Sequence, residues 1–127
     1  MDSFFTSFLL SLSTLFSCQQ SKDYTTLSVK EFQALINDGN IQVADVRTLG
    51  EYSEGHIAHS VNINILSSSF DQVADSVLKK DVPVALYCRS GHRSKKAGKR
   101  LAKKGYTVYE LDGGFMAWER AGLEETK

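Results

Sequence analysis

Apolar positions along this chain keep switching between a helical rhythm and a strand rhythm, and the switches mark out its elements. Val29, Phe32, Leu35 and Ile36 fall on one helical face; Ser28 and Glu31 stand at capping-box spacing before it, and Asp38-Gly39 ends it. Ile41 to Val46 is a β-branched run, and Ser60 to Ile65 alternates, so both predict strands. Phe70, Val73, Ala74, Val77 and Leu78 return to helical spacing after a serine cluster suited to an N-cap, until Asp81-Val82-Pro83 interrupts. Val84 to Tyr87 is almost wholly apolar, as expected of a strand covered on both faces, and it stops at Cys88. A helix over 94–104 closed by Gly105, a strand over 107–111, a Gly113-Gly114 turn and a last helix carrying Phe115, Met116 and Trp118 complete the series. Strands alternating with helices predict an α/β fold, a mainly parallel sheet with helices on both faces. Ligands of such sheets bind beyond the carboxyl ends of the strands, where the segment from Cys88 to Arg93 falls.

The first residues follow neither rhythm. From Phe4 to Phe16 eight of thirteen positions are apolar and none is charged, too short a run to span a membrane and of the length of a signal core. Leu15-Phe16-Ser17-Cys18 resembles a bacterial lipobox, although Met-Asp-Ser brings a negative charge where such signals carry a positive one. The expectation is an export or lipoprotein signal over 1–18, with a lipid on Cys18 anchoring the chain at the periplasmic side of a bacterial cell envelope. The alternative is a buried N-terminal element of a cytoplasmic protein. Residues 19–25 read as a polar linker, 26–122 as the domain and 123–127 as a tail.

Composition narrows the picture. The chain has 127 residues, 42% hydrophobic and 24% charged, with one proline, which suits one globular domain and excludes disordered and collagen-like classes. Fifteen basic residues balance fifteen acidic ones, so no net field draws nucleic acid or an anionic membrane to the whole molecule. Two cysteines far apart in sequence make neither a disulfide framework nor a Cys-rich zinc site. No metal or organic cofactor is expected.

The chemistry concentrates in Cys88-Arg89-Ser90-Gly91-His92-Arg93-Ser94, between the buried strand and a basic helix. A helix N-terminus, backbone N–H groups and the guanidinium groups of Arg89 and Arg93 all favour a thiolate at Cys88. Gly91 permits the backbone turn that points consecutive amides into an anion-binding nest. Ser90 and Ser94 can donate hydroxyl hydrogen bonds to the same centre, Ser94 alternatively serving as an N-cap.

These residues resemble the rhodanese-like single-domain sulfurtransferases. CRSGHRS matches that family's active-site loop, Asp45-Val46-Arg47 with Glu51-Tyr52 and Gly55-His56-Ile57 matches its upstream signature, and Gly113-Gly114 with Trp118 its C-terminal one. The resemblance implies a sheet of about five parallel strands and transfer of sulfane sulfur through a persulfide on Cys88, with the loop residues Arg89, Ser90, Gly91, His92, Arg93 and Ser94 around the substrate. It implies a small anionic donor such as thiosulfate and a cyanide or thiol acceptor, a protein thiol included. His56 and Trp118 are expected to keep the fold, His92 to face outward without a catalytic role, and Arg47 and Glu51 to form a structural ion pair. Two rivals share the architecture. A cysteine-loop phosphatase needs five residues between Cys and Arg, whereas four stand here; a non-catalytic or sulfur-relay module for a partner protein keeps the fold with another purpose.

Neutral composition also hides a local patch. Eight basic residues and no acidic one lie between Arg89 and Lys104, either steering anionic donor to the loop or forming a solvated helix face. Aromatic residues are not interleaved with them, which speaks against nucleic-acid binding.

Overall fold

The computed structural model describes residues 23–127; the signal, lipid-anchor and Cys18 expectations lie outside them. Among the described residues five strands and five helices alternate: β1 Thr25–Leu27, α1 Val29–Asn37, β2 Gln42–Asp45, α2 Leu49–Glu54, β3 Val61–Asn62, α3 Phe70–Val77, β4 Val84–Tyr87, α4 His92–Lys103, β5 Val108–Leu111 and α5 Gly114–Arg120. All strand pairs are parallel, in the order β1-β5-β4-β2-β3.

Strand alternation divides the core into two layers. Val84, Leu86 and Cys88 face a cluster with Phe70, Ala74 and Leu78 from the α3 region and Ala97 and Leu101 of α4. Ala85 and Tyr87 face the opposite one, with Phe32 of α1 and Phe115 and Trp118 of α5. Both faces of β4 are thus covered, which is why this strand reads as a continuous apolar run. The same period puts Cys88 on the α4 side of the sheet, at its carboxyl edge.

Several expectations change. The capping box of α1 is present in full, Glu31 N–H donating to Ser28 Oγ and Ser28 N–H to Glu31 Oε1. In contrast, Ser69 stands at the N-cap of α3 without a side-chain cap bond, and Val73 and Val77, placed by spacing on the core face, are 38% and 46% exposed. The predicted strand over 60–65 keeps its ladder only at Val61–Asn62; beyond it, Ile63 and Ile65 are buried and donate to the carbonyls of Asp45 and Val46. The supposed linker gives its last residue, Thr25, to β1, and the Tyr24 ring lies 3.2 Å from where a Cβ on Gly98 would stand, so that glycine lets it pack against α4. The tail is held as well: Thr126 bridges His56, and Trp118 Nε1 donates to the carbonyl of Glu124. Among the described residues no helix is long and apolar enough to cross a membrane.

Candidate active site

The loop after β4 is held from below and from the side. Gly91 adopts φ +104°, a conformation closed to most residues with a Cβ, and serves as N-cap of α4. The helix therefore begins at His92, earlier than the pattern indicates, and Ser94 lies within its first turn instead of capping it. On the other side the start of α5 grips the loop's carbonyls: Phe115 N–H donates to Cys88 O at 2.8 Å and Met116 N–H to Arg89 O at 3.0 Å. That approach requires glycine at 114, where φ is +62° and a Cβ would sit 2.6 Å from the carbonyl oxygens of Cys88 and Arg89. The Gly113-Gly114 pair is the seat of the loop.

Cys88 is 1% exposed, and its thiol is free of a disulfide. The expected nest of several amides reduces to one donor within hydrogen-bond reach, Gly91 N–H at 3.1 Å from Sγ; Ser94 Oγ, expected to donate to this centre, instead accepts from the thiol at 3.5 Å and gives its own hydrogen to Glu110. Arg89 and Ser90 are exposed at the rim, and His92 is exposed on the outside of the helix start. Beside the rim opens a cleft of about 230 Å³ whose lining includes Glu51, Arg89, Met116 and Glu119. A larger groove of about 630 Å³, between α1, the β3 edge and Trp118, has no residue of the loop in its lining.

The ion pairs differ from the expected ones. Arg47 does not pair with Glu51. Its guanidinium forks onto Asp45, Nε lying 2.9 and 3.0 Å from the two carboxylate oxygens, donates to Gly55 O at 2.7 Å and lies over the Phe115 ring. Glu51 instead takes both ends of the Arg93 guanidinium at 2.8 Å each. The expected pair is displaced because Asp45 is buried next to Arg47 and must be neutralised there. Arg93 is accordingly a fixed positive charge with its fork occupied, in electrostatic range of Cys88, while Arg89 keeps an exposed position at the rim.

Hydrogen bonding to Arg93, reinforced by the capping box at Thr48, lowers the Glu51 carboxyl from 4.5 to about 2. A carboxyl lowered on folding adds stability above its unfolded value, and that contribution is lost as pH falls through its folded value. The difference in melting temperature between wild type and Glu51→Gln is therefore expected to hold above pH 4.5 and to shrink toward pH 2. Thermal melts across that range check it; a difference independent of pH would show that the pair contributes nothing.

The basic patch is half spent. Arg93, Lys95, Arg100 and Lys104 are paired with Glu51, Glu110, Asp71 and Asp75, leaving Arg89, Lys96, Lys99 and Lys103 without an ion pair among the described residues. Sequence reasoning passed over Glu110, a carboxylate at 0% exposure that bonds Ser94. Its signal was an acidic residue inside the otherwise apolar strand Val108-Tyr109-Glu110-Leu111. His56 and Trp118 are built into the frame: His56 Nδ1 lies 2.8 Å from Tyr52 O with its ring stacked on Tyr52, and Trp118 is buried in the second core layer.

A parallel five-stranded domain that sets one buried cysteine at the head of a glycine-turned loop, under a basic helix, defines a narrow class. The chain belongs to the rhodanese-like domain family, whose model matches residues 28–121. It is 33% identical over 98 residues, 76% of this chain and 88% of the relative, to the thiosulfate sulfurtransferase GlpE of Coxiella burnetii. It is 37% identical over 100 residues, 78% of this chain and 75% of the relative, to the uncharacterized protein YqhL of Bacillus subtilis. Among solved structures it resembles a rhodanese-related protein from Thermoplasma volcanium, with a TM-score of 0.72 and 28% identity over 81% of this chain and 98% of that one.

Proposed function

We propose that the protein is a rhodanese-type sulfurtransferase that carries sulfane sulfur as a persulfide on Cys88, from an anionic donor such as thiosulfate to cyanide or a thiol. The observation that carries this reading is the Gly91 N–H, 3.1 Å from a sulfur that the sheet and α5 hold at the base of the loop. A donor fixed there stabilises negative charge on sulfur without reorganisation during the reaction. In the first half-reaction the Cys88 thiolate attacks the outer sulfur of thiosulfate; a new S–S bond forms, the donor's S–S bond breaks, and sulfite leaves with the electron pair. Arg89, at the rim, meets the oxyanion end, and Arg93 supplies fixed positive charge from its place on Glu51. In the second, the acceptor attacks the outer sulfur and Cys88 leaves as thiolate. The persulfide lifts the reactive atom by about 2 Å, toward the rim of a site whose cysteine is otherwise covered. Residues 1–18 complete the proposal as an export segment that places the domain on the periplasmic side.

Mass spectrometry after thiosulfate treatment tests it. The expected result is an increase of one sulfur mass on the peptide containing Cys88, removed by cyanide. No such adduct would support the passive-module alternative.

A further inference from the structure

Glu110 is fully buried, and the sulfur-transfer steps above give it no task. One oxygen accepts the Ser94 hydroxyl at 2.7 Å; the other accepts the Thr26 hydroxyl at 2.7 Å and the Lys95 ammonium at 3.0 Å. Ser94 Oγ is also the acceptor facing Cys88, 3.5 Å from its sulfur. A serine hydroxyl has one hydrogen to give. With that hydrogen on Glu110, Ser94 turns lone pairs to Cys88, an arrangement that suits an S–H and opposes an S⁻. An anionic sulfur requires the hydrogen on the other side.

We infer that Glu110 is a positioning residue that holds the Ser94 hydroxyl hydrogen away from Cys88 while Cys88 is a thiol, and yields it to the sulfur when the sulfur becomes an anion. The inference takes its catalytic meaning from the sulfurtransferase reading, in which thiolate and persulfide alternate. The turn is a rotation about the Ser94 Cβ–Oγ bond; no covalent bond breaks, and the thiol proton leaves to solvent. Glu110 can release one donor because Thr26 and Lys95 stay on its other oxygen. The Glu110 carboxylate places negative charge behind Ser94, and Lys95, bound to Glu110 and near Gly91 O, offsets part of that field. The other charged or titratable groups around this centre are Arg93 of α4 with its partner Glu51 of α2, Asp45 of β2, which acts on Arg93, and Tyr24 and Asp112, which act on Lys95, while Arg89 at the rim and His92 at the start of α4 are exposed. They stay unchanged in the variants below, so the comparison isolates Ser94, Glu110 and Lys95.

The test is the pH dependence of iodoacetamide alkylation on the full chain, followed on the Cys88 peptide by mass spectrometry so that Cys18 does not enter. Glu110→Gln is expected to move the alkylation midpoint down by about one pH unit, and Ser94→Ala to move it up. In the Ser94→Ala background, Glu110→Gln is expected to produce less than half its wild-type shift, since the hydroxyl that transmits it is gone. A midpoint untouched by Glu110→Gln, or an equal shift in both backgrounds, overturns the inference. Should Glu110→Gln fail to fold, Lys95→Met serves: its side chain is 47% exposed, and its loss is expected to raise the midpoint, less so with Ser94→Ala. An unmoved midpoint there overturns the inference equally. Alkylation needs no sulfur donor, so a wild type that gains no sulfur from thiosulfate, yet shows these shifts, sinks the enzymatic reading and leaves the role of Glu110 standing.

Discussion

Cys88→Ser is expected to reduce thiosulfate:cyanide transfer to below about 0.1% of wild type while the domain keeps its fold. In the proposed persulfide mechanism the loss is chemical: a serine hydroxyl does not ionise near neutral pH, and oxygen cannot take the place of a sulfur nucleophile that must form and break an S–S bond. Folding should survive because the buried site already supplies partners for a hydroxyl. Gly91 N–H is in place to donate to it, and Ser94 Oγ is in place to accept from it, so no buried polar group is left unmet. Thiocyanate formation measures the first half of the prediction and thermal melting the second. A variant with wild-type turnover and a wild-type melt would place the chemistry elsewhere in the chain.

Asp45→Ala is expected to be the most damaging single change to stability, by about 3–5 kcal/mol. Asp45 is 0% exposed and Arg47 only 4%, and the guanidinium lies over Phe115, 4.4 Å from the ring centroid, with Tyr87 at 5.6 Å. Without its carboxylate this cation retains the Gly55 carbonyl and the two rings, but no ion-pair partner among the described residues. For a domain of this size the loss corresponds to a fall in melting temperature of at least about 12 °C. The double variant Asp45→Ala, Arg47→Met removes both charges and is expected to recover much of it, since burying two matched apolar side chains costs less than burying one unmatched charge. Melts within two or three degrees of wild type for Asp45→Ala would show that water reaches Arg47. The pair also bears on the site, because Phe115, which Arg47 covers, is the residue whose amide holds the Cys88 carbonyl.

Much of the architecture was legible because it rests on local periodicity. The α1 face, the all-apolar β4 strand and the Gly105 and Gly113-Gly114 stops each express a demand the chain meets within a few residues. Two elements escaped notice for the same reason. β1 has three residues and no room for alternation, and α2 has six and buries none, so neither carries an apolar rhythm. The Thr48 and Glu51 capping box of α2 was written in the sequence, yet without an apolar face behind it the spacing did not call up a helix.

The candidate site divides along the same line. The placement of Cys88, the glycine turn, Arg89 and Arg93 follows from neighbouring residues, since a strand end, a residue able to adopt positive φ and a helix start are all local matters, and the sequence determined it. Which carboxylate each arginine meets, and that a strand residue twenty-two positions after Cys88 reaches the serine beside it, were decided only by tertiary structure. Charge pairing depends on which groups the packed layers bring together and on which of them lose water: burial committed Arg47 to Asp45, freed Glu51 for Arg93, and placed Glu110 under Ser94.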